Sequence, residues 1–221
     1  MAGGGAERGP GRRRAAGSLP TRVTLLVAGS LLATLCYGLT IRAGIGLGPL
    51  FVLQDGLSRQ LGCSIGTAVI FTGFAFVVVA SALRSWPGPG TLALPIVGGV
   101  TLNLLLPHLP AIPSGPLRLV VVVVATWLMG LGGAMTIMAS VGVAAYDAVM
   151  LGLCRLLHRP VAPVRLAMEI AVFGLGWALG GSVGVGSLVT AVLIGPSMHM
   201  WLRVLSGTRT RMPLADSTSS A

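Results

Sequence analysis

The sequence is poor in charge: only 9% of its 221 residues are Asp, Glu, Lys or Arg, whereas 54% are hydrophobic. Lysine is absent, so all fifteen basic residues are arginines, and only five residues are acidic. A water-soluble fold of this size cannot cover its surface with so few charged side chains. The shortage of charge therefore excludes a soluble domain and predicts an integral membrane protein.

Several signatures of soluble function are missing as well. The chain has a net charge of +10, but its arginines are not interleaved with aromatic residues that could stack on bases. Nucleic acid is therefore not an expected partner. The three cysteines (Cys36, Cys63 and Cys154) form no CxxC pair, which favours packing roles over disulfides or metal ligands. No nucleophile elbow, zinc-protease motif or Walker A motif is present. We therefore expect no enzyme, no metal site and no cofactor.

The arginines instead indicate topology, because basic residues collect on the cytoplasmic side of bacterial inner-membrane proteins. Five of the fifteen arginines lie within the first 22 residues. With the N-terminus in the cytoplasm, six or eight spans would each keep at least twelve arginines inside and return the C-terminus to the cytoplasm. We expect a multi-pass protein of the bacterial inner membrane with both termini cytoplasmic.

Six apolar runs have about the length that a membrane-spanning helix needs, which is roughly 20 residues. These runs are 23–41, 66–83, 91–107, 119–141, 166–182 and 187–202. Between them lie two shorter segments, 47–61 and 143–158, in which apolar residues occupy one helical face and polar residues the other. The sequence thus predicts an all-α transmembrane helix bundle that includes two half-length helices.

The two short segments belong to an internal repeat with an offset of 96 residues. An ungapped shift by this offset aligns more identical residues than the biased composition would give by chance. The identical residues that it pairs include Arg22 with Arg118, Gly46 with Gly142, and Arg59 with Arg155. Because the first apolar run has an internal counterpart, we interpret it as a structural helix and not as a cleaved signal peptide.

Each half reads as a span, a short helix and two further spans. If the short helices do not cross the bilayer, the second half is inverted relative to the first, as in many secondary transporters. If they cross, there are eight spans and parallel repeats. We favour six spans, because an amphipathic half-length helix makes a poor lipid-facing span. The predicted halves are 22–117 and 118–206, flanked by disordered ends at 1–21 and 207–221.

Three acidic residues lie outside the two ends, and each has a structural interpretation beside a functional one. Glu169 interrupts an apolar span, where it either pairs with Arg165 or serves as a proton-titrating or substrate-binding group. Asp147 opens the second short helix, where it either complements the helix dipole or lines a substrate route. Asp55 lies on the polar face of the first short helix beside Arg59, which favours a solvated or paired surface residue.

Glycines lie before the first short helix and before the last span. Gly46 and Gly48 precede the first short helix, and Gly184 and Gly186 precede the last span. Half-length helices with glycine-rich ends are a usual sign of a midplane site, where free backbone groups face a cavity. The alternative is a short interfacial helix joining two spans, with close helix packing as the reason for the glycines.

Two strings resemble a known family. GLGPLFVLQDGLSRQLGCSIGT (46–67) is similar to the G-x-G-P-W-D-V-L…G-L-S signature of the YczE/YitT-like bacterial integral membrane proteins. RLAMEIAVFGLGWALGGSVGVGSLVTAVLIGP (165–196) is similar to the E…G-W-x-L-G-G-x-x-G-x-G-T…I-G-P signature of the same family. The resemblance covers roughly residues 20–203. It implies functions that range from small-molecule export to support of antibiotic biosynthesis.

The resemblance also assigns residues to the family's motifs. Asp147 takes the place of the acid in the second short helix. The first half departs from the pattern, because Leu50 and Phe51 replace Trp-Asp, which makes Asp55, one turn later, a candidate substitute. The residues that fall on the second signature are Glu169, Gly176, Trp177, Gly180, Gly181, Gly184, Gly186, Gly195 and Pro196.

These features predict two candidate functions. The favoured one is a secondary transporter or exporter that moves an unidentified small molecule by alternating access between the two halves, with protons as a coupling ion. Asp147, Glu169, Asp55 and Arg165 are the side chains expected along the route, together with the four glycines. The alternative is a non-transporting membrane scaffold that supports a biosynthetic enzyme. The lipid bilayer is a partner in both cases, and both are compatible with a homo-oligomer.

Overall fold

A computed structural model describes residues 18–85, 88–113, 115–142 and 144–205. The described residues form eight α-helices and one short 3-10 turn, Leu106–His108, and include no strand. The helices are α1 (Leu19–Ala43), α2 (Pro49–Leu61), α3 (Ile65–Ala82), α4 (Pro89–Leu105), α5 (Pro116–Ala139), α6 (Ala145–Leu157), α7 (Val161–Ala178) and α8 (Val185–Leu205). The predicted all-helical class is confirmed.

Six of these helices are long and apolar enough to cross a bilayer: α1, α3, α4 with its 3-10 turn, α5, α7 and α8. Many large apolar side chains on their outer surfaces are exposed, among them Val78, Trp177 and Leu188. Such a surface is unfavourable in water and favourable against lipid tails. The predicted C-terminal tail and most of the predicted disordered N-terminus lie outside the described residues, and residues 19–21 belong to α1.

Proline and glycine set the helix ends. α2, α4 and α5 each begin at a proline, whose missing N–H group is not needed in the first helical turn. α1 and α2 end before Gly44 and Gly62, whose φ angles of 65° and 62° place them in the left-handed region that terminates helices. These local signals explain why the helices begin a few residues away from the apolar runs of the sequence.

The two short helices form where the amphipathic pattern predicts them. α2 and α6 each contain 13 residues, which corresponds to about 20 Å of helix, against about 30 Å for the hydrocarbon core of a bilayer. Both helices pack against α3 and α7. Their length and their polar residues explain why neither is a candidate membrane span.

α1 and α5 form the centre of the bundle and run in opposite directions. Near the start of α1, Arg22 Nε donates a hydrogen bond of 2.8 Å to the Ala139 carbonyl oxygen at the end of α5. Near the end of α1, Ala43 shares a buried cluster with Val122, which lies near the start of α5. Because these contacts occur in opposite order along the two helices, the helices are antiparallel.

The α1–α5 crossing is close because both helices carry glycine at the contact. A Cβ atom on Gly132 would lie 2.6 Å from the Gly29 carbonyl oxygen. A Cβ atom on Gly29 would lie 2.7 Å from the Gly132 carbonyl oxygen. Small residues at a helix crossing let the two backbones approach closely. In lipid, where the hydrophobic effect does not drive helices together, the van der Waals contacts of this close approach stabilise the pair.

The remaining spans surround this central pair. α4 packs beside α1 and runs in the same direction, so that Arg42 near the end of α1 donates to the carbonyl oxygen of Leu106, just after α4. α8 packs beside α5, and it is parallel to α5 because Val189 packs with Val122 early in both helices and Ser197 meets Gly130 later in both. α3 packs against α4, where Gly73 meets Pro95.

We predict that Gly132→Val destabilises the folded bundle by about 1–3 kcal/mol, the usual cost of forcing extra atoms into a packed core. The matched control is Gly174→Val on α7, because a Cβ atom there has no neighbour within 4 Å. Thermal unfolding of the detergent-purified variants measures the difference. Equal midpoints for the two variants would contradict the close α1–α5 contact.

Candidate functional site

The polar face of α2 is turned into the protein, where Gln54, Asp55 and Ser58 are all buried. Leu61 at the end of the same helix is exposed. This is the reverse of an amphipathic helix on a soluble protein. The lipid surroundings explain this orientation, because polar side chains at membrane depth are stable only when they face the protein interior or a polar cavity.

Asp55 connects α2 to the turn between α7 and α8. Its Oδ2 atom accepts a hydrogen bond of 2.7 Å from the backbone N–H of Ser182. Arg59, one turn later on α2, forms an ion pair with the same carboxylate at 3.2 Å and donates to Ser182 Oγ at 2.8 Å. We call these three residues the Asp55 clasp. The predicted pairing with Arg59 is present, but the Asp55 side chain is only 6% exposed and not at the surface.

Two buried polar atoms near the clasp, on Tyr37 and Gln54, have unused hydrogen-bonding capacity. The Tyr37 ring stacks on Phe51 with a centroid distance of 3.8 Å, and its hydroxyl group is buried without a hydrogen-bond partner. Gln54 Nε2 donates to Thr72 Oγ1 at 3.2 Å, whereas the Gln54 Oε1 atom is buried and unpartnered. Buried polar atoms are normally paired, so these two atoms can accept contacts from water or a bound solute.

Asp147, Arg165 and Glu169 form a second polar cluster. Arg165 Nε lies 3.0 Å from Glu169 Oε1, and the two side chains are 34% and 27% exposed. Asp147 is partly buried in the first turn of α6. Burial raises the pKa of its carboxyl group, and the positive charge of Arg165 opposes that rise. The predicted Arg165–Glu169 pair is therefore present, with Asp147 within its electrostatic reach.

The two polar groups lie at opposite ends of α7. Arg165 is near the start of this helix and Ser182 follows its end, so 13 residues of helix, about 20 Å, separate Arg165 from Ala178 at the end of α7. Glu169 lies nine residues, about 14 Å along the helix, before the end of α7, so Asp55 does not contact the second cluster. The sequence-predicted acids do not form a single site. They belong to two polar groups, one on α2 and the other shared by α6 and α7.

The four predicted glycines do meet, in a backbone crossing between the start of α8 and the segment that enters α2. Gly46 has a φ of 111°, which favours glycine, and a Cβ atom on it would lie 2.5 Å from the Gly184 nitrogen. Gly186 N donates to the Ile45 carbonyl oxygen at 2.8 Å. A Cβ atom on Gly48 would lie 2.7 Å from Thr190 Cγ2. Close backbone approach is what these positions require.

Two cavities lie along α1, at its opposite ends. The first, of about 250 Å³, is almost wholly apolar, and its lining includes Val23, Leu26 and Leu94. The second, of about 580 Å³, is found where α1 ends, α3 begins and α4 ends, and it is lined by Arg42, Ser64 and Asn103 among apolar residues. None of the predicted acids lines either cavity.

The polar lining of the larger cavity was missed by sequence reasoning, although signals were present. Arg42 ends an apolar run, and Asn103 is the sole asparagine of the chain and interrupts another apolar run. Polar residues at such positions are functional candidates in membrane proteins. Within the described ranges, no three His, Cys, Asp or Glu side chains are grouped as a metal site requires.

Six apolar helices, together with a short helix, α2, that buries polar side chains, define an integral membrane protein. A scan against family models matches residues 20–203 to a family of unknown function, DUF6198, and the chain belongs to this family. The match covers the same residues as the resemblance to the YczE-like membrane family, which is thereby confirmed.

Individual relatives agree with this membership. The chain is 30% identical over 173 residues to an uncharacterised protein of Haemophilus influenzae, covering 76% of this chain and 78% of that one. It is 27% identical over 179 residues to the uncharacterised membrane protein YczE of Bacillus subtilis, covering 80% and 83% of the two chains. It is 24% identical over 185 residues to YyaS of the same organism, covering 80% and 90%. No solved structure gives a significant match.

We predict that Asp55→Ala lowers the free energy of unfolding by about 1.5–3 kcal/mol, because it removes hydrogen bonds to a buried carboxylate. Glu169→Ala is the comparison, with an expected loss of at most about 1 kcal/mol for a partly exposed ion pair. Asp55→Asn keeps an acceptor for the Ser182 N–H group and should lie between them. Denaturant unfolding in detergent measures all three, and equal losses for Asp55→Ala and Glu169→Ala would contradict the clasp.

Proposed function

We propose that this protein is a secondary transporter of the bacterial cytoplasmic membrane, in which two inverted halves move against each other to carry a small molecule. The observation that supports this proposal best is the antiparallel pairing of α1 and α5, the first helix of each proposed half. Homologous helices that run in opposite directions are the mark of an inverted repeat, an arrangement shared by many secondary transporters.

The helix boundaries support a tandem duplication. α6, α7 and α8 begin 96 residues after α2, α3 and α4, respectively, which is the offset of the sequence repeat. α6 and α7 also end 96 residues after α2 and α3. Helix ends are set by local sequence, so a constant offset across three pairs of helices favours copies of one ancestral unit over chance.

The contacts between the halves follow the same offset. Gly186 N donates to the Ile45 carbonyl oxygen at 2.8 Å, and Gly90 N donates to the Val141 carbonyl oxygen at 3.3 Å. Ile45 and Val141 are 96 residues apart, as are Gly90 and Gly186. In addition, α2 packs on α7 of the other half, and α6 packs on α3. This pairwise exchange is what an approximate twofold axis in the membrane plane would produce.

Six spans with inverted halves also fit the arginines. This topology leaves Arg42, Arg59 and Arg118 on one side of the membrane and the other twelve arginines on the opposite side. The side with the excess is the cytoplasm by the positive-inside rule, so both termini are cytoplasmic. α2 then lies toward the outer face and α6 toward the inner face.

The two ends of the proposed transporter are not equivalent. At the outer end, the Asp55 clasp holds α2 against the α7–α8 turn of the other half. Leu151 occupies the equivalent position of α6, so the inner end lacks this carboxylate. Asp147 and Glu169 are instead the inner groups available for proton coupling. Opening of the outer end would require release of the clasp.

A scaffold remains the second candidate because of one feature of the inner end. Arg155 and Arg159 are exposed there, and neither has an acidic partner among the described residues. Exposed arginines of this kind can dock an acidic surface on a cytoplasmic enzyme. A scaffold of that type needs no relative motion of the two halves, which separates it experimentally from a transporter.

We predict that locking one end of the protein opens the other. In a cysteine-free background, Gly48→Cys with Thr190→Cys forms an outer lock, because a Cβ atom on Gly48 lies 3.5 Å from Thr190 Cβ. Gly90→Cys with Val141→Cys forms the inner lock, at 3.4 Å. By population shift, the outer lock should raise amide hydrogen exchange around residues 88–92 and 139–142, and the inner lock around 45–48 and 182–187.

The control for each lock is the same double variant after reduction of its disulfide. Hydrogen exchange is followed by mass spectrometry on protein in nanodiscs, so no substrate needs to be known. A static scaffold would show protection at the cross-linked end only. Unchanged exchange at the far end for both locks would overturn the proposed alternating access.

A further inference from the structure

The cavity of about 580 Å³ at the end of α1 has the composition of a binding site. Its volume lies within the range that is typical of pockets for small molecules. One guanidinium, one hydroxyl and one amide side chain are placed among apolar ones. The apolar lining residues are Ile41, Ile65, Leu106, Pro107 and Ala111. A ligand for this cavity needs a polar group and an apolar body.

The charge in the cavity is positive and has no acidic partner among the described residues. Arg42 donates to the Leu106 carbonyl oxygen, and its Nε atom is buried without a hydrogen bond. Among the described residues, the ion pairs involve Arg59 and Arg165 and leave Arg42 without an acid. No acidic residue lines the cavity. A partly buried guanidinium without a counter-charge is unfavourable, and an anion in the cavity would relieve that cost.

The start of α3 adds positive potential at the same cavity. Ser64 caps this helix by accepting the Thr67 N–H at 3.3 Å, and the Gly66 N–H donates to Asn103 Oδ1 at 3.0 Å. The N-terminal end of an 18-residue helix carries a partial positive charge. Because Asn103 is fixed by this bond, the cavity wall is preorganised before a ligand arrives.

We propose that this cavity binds a small organic monoanion, a carboxylate attached to an apolar body. A single guanidinium matches one negative charge, and the carboxylate is the group that arginine recognises with paired N–H donors. The apolar lining excludes strongly hydrated ions such as phosphate as the preferred ligand. The role of the cavity as an outer-facing substrate site rests on the proposed transport function. Anion binding in the cavity does not.

The cavity lies on the outer side of the proposed topology, one helix away from the Asp55 clasp. The cavity lies at the ends of α1 and α4 and at the start of α3. The clasp is on α2, and the chain continues from α2 through Cys63 and Ser64, which both line the cavity, into α3. An anion bound to Arg42 would therefore lie next to the segment that the clasp holds. This arrangement gives substrate binding a physical connection to the opening of the outer end.

The test uses benzoate as the probe, with benzyl alcohol and benzylamine as neutral and cationic analogues of the same size. We expect benzoate to bind the protein in phosphatidylcholine nanodiscs and the two analogues to bind at least about tenfold more weakly. Arg42→Gln should weaken benzoate binding by about tenfold or more, as loss of a charge-assisted hydrogen bond implies. Arg42→Lys should retain part of the affinity. Arg118→Gln, on the same side but outside the cavity, should leave it unchanged.

A second pair of variants protects the test against misfolding of the arginine variants. Ser64→Asp and Ser64→Asn both preserve a good helix cap for α3, but only Asp adds a negative charge at the cavity. Ser64→Asp should weaken benzoate binding strongly relative to Ser64→Asn. Equal affinities for this pair, or equal binding of benzoate and benzyl alcohol, would overturn the proposal.

Three further outcomes distinguish a soluble anion from a lipid headgroup, and the binding proposal from the transport proposal. Retention of phosphatidylglycerol by the wild type and not by Arg42→Gln, with no benzoate binding, would overturn a soluble ligand in favour of a lipid headgroup. Arg42-dependent benzoate binding without exchange changes in the locked variants would keep the anion site and reject transport. Exchange changes without benzoate binding would keep transport and reject this ligand class.

Discussion

The antiparallel crossing of α1 and α5 determines how the rest of the bundle is arranged. In lipid, apolar side chains gain little from contacting one another instead of the bilayer, so close backbone packing must hold helices together. Gly29 and Gly132 provide that packing by allowing each helix to approach the other's carbonyl groups. Because α4 lies beside α1 and α8 beside α5, the direction of the central pair sets the direction of the outer spans.

The same solvent explains where the charges are. The carboxylates of Asp55 and Glu169 each have an arginine one turn away on the same helix, which lowers the cost of charge near the membrane. Asp55 also connects α2 to the turn between α7 and α8 through Ser182. Arg42 differs, because its neighbours offer a carbonyl oxygen and a cavity but no acid. The proposed anion in the cavity would supply the missing counter-charge for Arg42.

Much of this architecture could be predicted from sequence because it is local. The apolar runs predict the spans, the alternation of polar and apolar faces predicts α2 and α6, and the i to i+4 spacing predicts the Arg165–Glu169 pair. The contacts that group residues across the chain could not be predicted. Asp55 accepts a hydrogen bond from Ser182, 127 residues away, and the Arg42 cavity forms where three helix ends meet. Nothing in the spacing of the acids indicates that Asp55 lies at the end of α7 and Glu169 about 14 Å before that end.

The measurement that tests the proposed inverted arrangement most directly is the side of the membrane at which each short helix ends. Gln60→Cys and Arg159→Cys, each in a cysteine-free background, lie at the ends of α2 and α6 and can be labelled with a membrane-impermeant maleimide. The account predicts that Gln60→Cys reacts in intact cells and that Arg159→Cys reacts only after permeabilisation. Labelling of both cysteines from the same side would mean that the short helices cross the bilayer and that the halves are parallel.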